Sequence, residues 1–541
     1  MVSRKLRSTL LLLLIVALLS LLSVPFTAGA QDAGTITWSI EGKTDLASLD
    51  PAKASDSQDF TVVGLIYGGL VRLDGDLHVA PDVAEKWTVS DDGMTYTFTL
   101  RENAKFSDGS AITSADVIWS LTHSLDPSTG GWTGPFYLSN IVGADDIANS
   151  KATELTGAKA VDDHTIALTI KQPSAFFLSQ LTFGSAKIVS KAAAEANPDS
   201  WSEKPLSSGA FAVDQWNHGQ NLVLIPNANY WQPAAISNLT LPFYQDSETA
   251  YQLYRTDQLD IMGSQQNGVP AAHVPEVKDL PDFKTASSFA VRYVGFNNVI
   301  APFDNVDVRR AFSLAIDKAT LANDVLDGTV TPTDRILPIG IPGSELPVKG
   351  LAFDPAAAKA ALEKAGLTPE SIGPIKMTYG VEGDNERVVT VLQAMWKENL
   401  GVNVTLEPLE LSTFSARLNE TVETPETGLQ MYYSIWGADY PDPQNFISLQ
   451  LHTDVGNNNG HWSDANFDKL VDEADILTGD VQKRLSLYNQ AEQIAVDEVG
   501  WLPLYNPSLN VLIKPYVGGV VFTGQGLVIP DYSALTGRPS A

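Results

Sequence analysis

The sequence contains no cysteine. That one absence excludes disulfides, thiolate metal sites, cysteine nucleophiles and a lipid-modified N-terminal cysteine. Basic residues are also scarce: 35 lysines and arginines stand against 64 aspartates and glutamates, a formal charge of −29. Neutralising phosphates requires lysine and arginine, so neither nucleic acid nor an anionic membrane surface is an electrostatic partner. The seven histidines are scattered, and the nearest pair, His452 and His461, spans a Gly/Asn stretch. Hydrogen-bonding or solvated histidine explains them better than a metal site. Gly-x-Ser-x-Gly, His-Glu-x-x-His and phosphate-loop motifs are all missing. No enzymatic activity, metal or cofactor is therefore implied. Asp439 and Asp442 have a spacing that could serve a glycosidase in principle. Carboxylates are so abundant here that chance pairs are common.

Long apolar runs are confined to the start of the chain. Arg4, Lys5 and Arg7 precede an apolar stretch from Leu10 to Leu22, followed by Pro25 and by Ala28-Gly29-Ala30. A positive start, an apolar middle and a small-x-small cut site are the three parts of a secretory signal. The run is short for a membrane span of about 20 residues. Cleavage after Ala30 and a location outside the cytoplasmic membrane, in the periplasm or cell-surface space, are the expectations. Apolar residues make up 44 % of the chain and charged ones only 18 %, which suits a packed protein. At about 150 residues per domain, the length fits three or four domains, or two large lobes.

The patterns after the leader divide into two parts. Residues 95–100 alternate strictly and read as a strand, with 85–89 as partner across the turn Ser90-Asp91-Asp92-Gly93. Thr113 to Asp116 resembles a capping box opening a helix to about Leu125. Residues 165–170 alternate again, and 211–216 with 222–225 flank His218-Gly219 as a hairpin. The first half thus reads mostly as strands and hairpins. In the second half Asp304 is placed to cap a helix through about Ala322. Asp354-Pro355 starts a helix that Gly366 stops. A strand at 375–379, a helix at 387–400 ended by Gly401 and a strand at 402–406 form a parallel α/β unit. Two helices follow at 466–477 and 481–496, and 509–532 returns to apolar strands and Gly-rich turns. A β-rich part followed by an α/β part predicts a mixed α/β protein of two lobes with a cleft.

One segment carries chemistry. Met431, Tyr432, Tyr433 and Ile435 lead into Trp436, Gly437, Ala438 and Asp439, then into the turn Tyr440-Pro441-Asp442-Pro443. The apolar approach puts Asp439 at the end of a buried strand, where a carboxylate is costly unless it meets a cation. Asp439 is then either a cap or turn residue, or an anchor for a cationic ligand group with Trp436 as an aromatic wall.

Several long motifs add a resemblance. Ala84-Glu85-Lys86-Trp87 is followed by Ser90-Asp91-Asp92-Gly93-Met94-Thr95-Tyr96-Thr97-Phe98, then by Leu100-Arg101-Glu102-Asn103-Ala104-Lys105-Phe106-Ser107-Asp108-Gly109. Asn229-Tyr230-Trp231, Val306-Asp307-Val308-Arg309-Arg310-Ala311, Ala315-Ile316-Asp317-Lys318 and Lys514-Pro515-Tyr516-Val517-Gly518-Gly519 continue the series. From about Thr35 to the C-terminus the chain resembles the solute-binding proteins of ABC importers, in the peptide-binding family 5, and most of all the oligopeptide binders. The resemblance implies a two-lobed type II binding-protein fold with a third domain and a hinge-closing cleft. Lobe one would hold residues 34–70, 205–290 and 508–541, the extra domain 71–204, and lobe two 291–507. It implies a monomer that takes oligopeptides and passes them to a membrane permease and its ATPase.

The same resemblance implies site residues. Asp439 would pair with the peptide's α-ammonium, and main-chain groups near Ser55, Asp56 and Ser57 and near Ile435 to Gly437 would pair with the ligand as an added strand. Trp436, Tyr293, Asn457 and His461 match pocket positions, and Phe136 or Trp132 would line the side of the extra domain. Where relatives carry an arginine three residues before the tryptophan, this chain has Tyr433. Arg417 could take over the ligand carboxylate, although residues 421–428 intervene. A cysteine pair near the site is replaced by Gly437 and about Ala290. Relatives also bind other solutes, so an oligosaccharide or metal chelate is the alternative ligand, and a secreted hydrolase the remote one.

Overall fold

The computed structural model describes residues 33–264, 267–455 and 457–539. The expected export signal, residues 1–30, lies outside them. Among the described residues no helix is long and apolar enough to cross a membrane.

Three groups of buried side chains organise the chain. The first surrounds a sheet in which Thr35–Thr37, Asn238–Tyr244, Asn221–Pro226 and Phe211–Asn217 lie side by side. Its inner face, including Ile36, Leu222, Leu224 and Leu241, packs with Val62, Val63 and Ile66 of the helix Ser57–Ile66. That helix begins where the side chain of Asp56 accepts the Asp59 amide at 3.0 Å, an N-cap that satisfies one of the helix's orphan donors.

The second group surrounds a four-stranded sheet ordered Ala84–Val89, Thr95–Leu100, Thr165–Thr169, Ala158–Asp162. Thr95–Leu100 is the predicted alternating strand: Tyr96, Phe98 and Leu100 face inward and the threonines outward. The helix Ser114–Leu125 covers it, opened by the predicted capping box, in which Asp116 Oδ2 accepts from the amide and the hydroxyl of Thr113. The first half therefore holds helices as well as hairpins.

The third group lies around an eight-stranded sheet whose main path runs Ile261–Met262, Trp501–Ile513, Ala290–Phe296, Met431–Gly437, Ile375–Gly380, Val404–Leu409. Ile375–Gly380 pairs in parallel with Val404–Leu409, and the helix Asn385–Leu400 makes the crossover, as the strand–helix–strand pattern predicts. Gly401 ends that helix at φ 76°, a left-handed conformation that suits glycine.

Two expectations are corrected. The helix placed from Asp304 to Ala322 is capped by Asn305 and ends at Leu314. Asp317 then caps a new turn by accepting the Thr320 amide at 3.0 Å. A second cap inside an apolar periodicity breaks the helix in two. The terminal strand begins at Trp501 rather than Leu509. Pro503 and Pro507, which cannot donate to a ladder, hid it. This long strand enters two cores: Leu502 and Leu504 pack with the eight-stranded sheet's interior, Val511 and Ile513 with the first group. The chain thus passes between its halves along continuous β-structure.

Candidate ligand-binding cleft

The strand Met431–Gly437 is hydrogen-bonded unequally on its two edges. Along one edge Ala290–Phe296 pairs with all of it, from Ala290 opposite Gly437 to Phe296 opposite Met431. Along the other edge Ile375–Gly380 pairs only as far as Tyr433. The edge of residues 434–437 is therefore without a strand partner among the described residues. Ile435 there is 39 % exposed, unusual for a large aliphatic side chain.

Two cavities meet at this edge. One, of about 390 Å³, lies between Ser55, Asp56 and Ser57, Phe183 and Lys187, and the run Ile435 to Asp439. Its walls come from all three packed groups. The other, of about 520 Å³, extends along Ile435 and Trp436 to Phe136, Arg292, Tyr293, Tyr433 and Asn457. Ser55–Ser57, Ile435–Gly437, Trp436, Asp439, Tyr293, Asn457 and Phe136, with Trp132, are thus gathered around one connected cleft. Arg417 and His461 line neither cavity. Arg417 is exposed on the helix Leu411–Glu423, 3.2 Å from Glu420. His461 Nε2 is 3.0 Å from the Thr421 carbonyl, so it ties a loop to that helix's end.

Asp439 lines the smaller of the two cavities. Asn445 Nδ2 donates to its Oδ2 at 3.1 Å, and its own amide donates to Asn445 Oδ1 at 3.1 Å. The Tyr137 hydroxyl stands beside the same carboxylate. Among the described residues no lysine, arginine or histidine pairs with it. Burial therefore dominates and pushes its pKa up to about 6, partly offset by Tyr137 and Asn445. Asp442 behaves otherwise: Arg484 grips it with two bonds, at 2.6 and 2.9 Å. It is spent on structure, which leaves the glycosidase reading without its second carboxylate. Asp56 is likewise engaged, 2.7 Å from Lys43.

Trp436 is fixed by the same asparagine, its Nε1 donating to the Asn445 carbonyl at 2.8 Å. Tyr293 stacks on Trp501 with ring centroids 3.7 Å apart, which makes it a rigid wall. The only metal-capable cluster of three or more ligands among the described residues is Asp74, Asp76 and His78, and it includes neither His452 nor His461.

Sequence reasoning missed Asn445, Tyr137, Arg292 and Lys187. Arg292 adjoins Tyr293 in the same strand and lines the same cavity. Its guanidinium lies 5.5 Å from the Tyr433 ring centroid and has no carboxylate within 4.0 Å among the described residues. Asn445 and Tyr137 carry no pattern of their own, since only tertiary contact brings them to Asp439.

A cleft between packed halves, joined by shared β-structure and lined by aromatic and polar groups, defines a two-lobed solute-binding protein. Residues 78–458 match the bacterial extracellular solute-binding proteins, family 5 middle. The chain belongs to that family. It is 31 % identical over 92 % of its length to the periplasmic oligopeptide-binding protein of Salmonella typhimurium, covering 92 % of that protein. It is 31 % identical over 88 % of its length to a probable deoxycholate-binding periplasmic protein of Escherichia coli, covering 89 % of it. The structure of the Escherichia coli murein tripeptide binding protein superposes with a TM-score of 0.74 at 26 % identity, over 92 % of this chain and 97 % of that one. That of Haemophilus influenzae oligopeptide-binding protein in complex with the peptide RPPGFSPFR gives 0.73 at 25 %, over 92 % and 96 %.

Proposed function

We propose that this protein binds oligopeptides outside the cytoplasmic membrane and delivers them to the permease and ATPase of an ABC importer. The observation that carries the reading is Asp439: a carboxylate held by Asn445, facing a cleft, without a cation of its own. A peptide α-ammonium supplies that cation, and the charge-assisted pair forms where water is largely excluded. The open edge of residues 434–437 takes the peptide backbone as an added strand. Backbone pairing gives affinity without reading side chains, while the two cavities leave room for them. Arg292 takes the ligand carboxylate. It stands opposite Ile435 in the ladder, four residues from Asp439. At about 3.3 Å per residue that is roughly 13 Å, the span of a peptide of three or four residues. Its place over Tyr433 puts a cation where Tyr433 itself offers none.

The lobes and the extra domain follow the boundaries 34–70, 205–290 and 508–541, 71–204, and 291–507, with residues 1–30 as export signal and the monomer as working unit. Mass spectrometry of molecules released by denaturing the purified protein tests the function. A mixture of short peptides supports it. A single sugar, metal chelate or sterol acid in their place overturns it in favour of another solute on the same fold.

A further inference from the structure

Lys187 lines the cavity that contains Asp439, yet among the described residues it hydrogen-bonds neither to Asp439 nor to any other carboxylate, although it feels the charge of nearby Asp82. It is 8 % exposed, and among the described residues its Nζ has no hydrogen-bond acceptor and no carboxylate within 4.0 Å. It also lines an adjoining recess of about 240 Å³, which shares Ser57, Phe60 and Thr182 with the main cavity. Arg72 lines the recess too, its Nε and Nη1 buried without partners and its guanidinium 5.0 Å from the Trp231 ring centroid. The nearby acid is Asp82, and it is fully engaged. Its Oδ1 accepts from the Tyr230 hydroxyl at 2.5 Å and Trp231 Nε1 at 3.0 Å, and its Oδ2 from the Gly69 amide at 2.9 Å. Arg101, 3.9 Å from the Trp231 ring centroid, adds a further positive charge. The recess lining thus holds two cations, buried Lys187 and half-buried Arg72, and no carboxylate, an arrangement that costs stability until an anion arrives.

We propose that the recess at Lys187 and Arg72 is a specificity pocket for a carboxylate side chain of the bound peptide, so that the protein prefers acidic peptides. Asp439 takes the ammonium and Lys187 the side-chain carboxylate, at separate points of one connected cavity. The proposal rests on the peptide reading above.

Calorimetry with Glu-Ala-Ala and Ala-Glu-Ala against Gln-Ala-Ala and Ala-Gln-Ala tests it on the full mature chain. The wild type should bind the glutamyl peptide at least tenfold tighter than its amide counterpart at one of the two positions. Lys187→Met should erase that preference. Equal affinity for both pairs in the wild type overturns the proposal, as does a preference that survives in Lys187→Met. If Lys187→Met does not fold, Arg72→Met carries the same comparison. If no peptide binds, the peptide reading falls by itself, and thermal melting with glutarate judges the pocket. A glutarate shift present in the wild type and lost in Lys187→Met supports it, and no shift in the wild type overturns it.

Discussion

Asn445 holds Asp439 twice, donating from Nδ2 to the carboxylate and accepting the Asp439 amide at Oδ1, each at 3.1 Å. It also accepts Trp436 Nε1 at its carbonyl, so one fully buried side chain and its backbone fix both the charge and the aromatic wall of the cleft. The carboxylate proposed as the anchor is thereby pre-organised.

Asp439→Asn should weaken peptide binding by roughly thirty- to several-thousand-fold, the equivalent of about 2–5 kcal/mol for truncating one partner of a buried charge pair. N-acetylated peptides should lose affinity for the wild type to a similar extent. Calorimetry with free and capped forms of one peptide makes the comparison. Equal binding of the two forms would remove the anchor assignment.

Binding should depend on pH through the same group. Burial lifts Asp439 to about 6, and only its ionised form pairs with an ammonium. Affinity should peak near pH 7, fall by up to about tenfold per unit below 6, and fall again above about pH 8 as the peptide's α-ammonium loses its proton. Asn445 lowers the Asp439 pKa by donating to the carboxylate, so Asn445→Leu should move the midpoint upward and weaken binding at neutral pH. An unchanged midpoint in Asn445→Leu would detach the asparagine from the titration.

Arg292 should read the other end of the peptide. Amidating the C-terminus of a tri- or tetrapeptide should cost the wild type about tenfold in affinity, near the value of one charge-assisted hydrogen bond. Arg292→Met should bind acid and amide alike. A wild type indifferent to amidation would assign the carboxylate elsewhere.

Ligand-free stability should fall as pH rises from 5 to 8. Glu41, buried with one oxygen unpartnered, is pushed up to about 7 by burial, and burial likewise lifts Asp475 to about 7. Both are raised above their unfolded values. Their contribution is therefore full below about pH 4 and is lost as pH climbs through about 7. His218, raised by its hydrogen bonds to Asp45 and Glu203, works in the same direction. Thermal melts should show a Tm a few degrees higher at pH 5 than at pH 8. A Tm that rises with pH would contradict the burial of Glu41 as an ionisable core residue.

Arg484→Met should be strongly destabilising, by about 3–5 kcal/mol, because it leaves Asp442 buried without its partner. Urea denaturation measures the loss. Arg417→Met, which removes only an exposed pair with Glu420, should cost less than about 1 kcal/mol in the same assay.

The sequence by itself determined the local elements and the location of the chemistry. Alternation wrote the strand Thr95–Leu100, caps wrote the helices Ser114–Leu125 and Pro355–Lys364, and the apolar run into Trp436 and Asp439 marked a wall of the cleft, because each signal lies within a few residues of chain. At Asp317 the short-range cap prevailed over a longer apolar period, whereas in Trp501–Ile513 tertiary pairing prevailed over the local signal of the prolines. The tertiary structure alone decided which charges are free. Asp439 and Asp442 look alike in sequence, three residues apart, and only the arrival of Arg484 from the helix Val481–Asp497 neutralises one and leaves the other. Asn445, Tyr137, Arg292 and Lys187 reach the cleft from elements far apart in the chain. Electrostatic pairing depends on distance in space, and periodicity along one strand or helix carries no record of it.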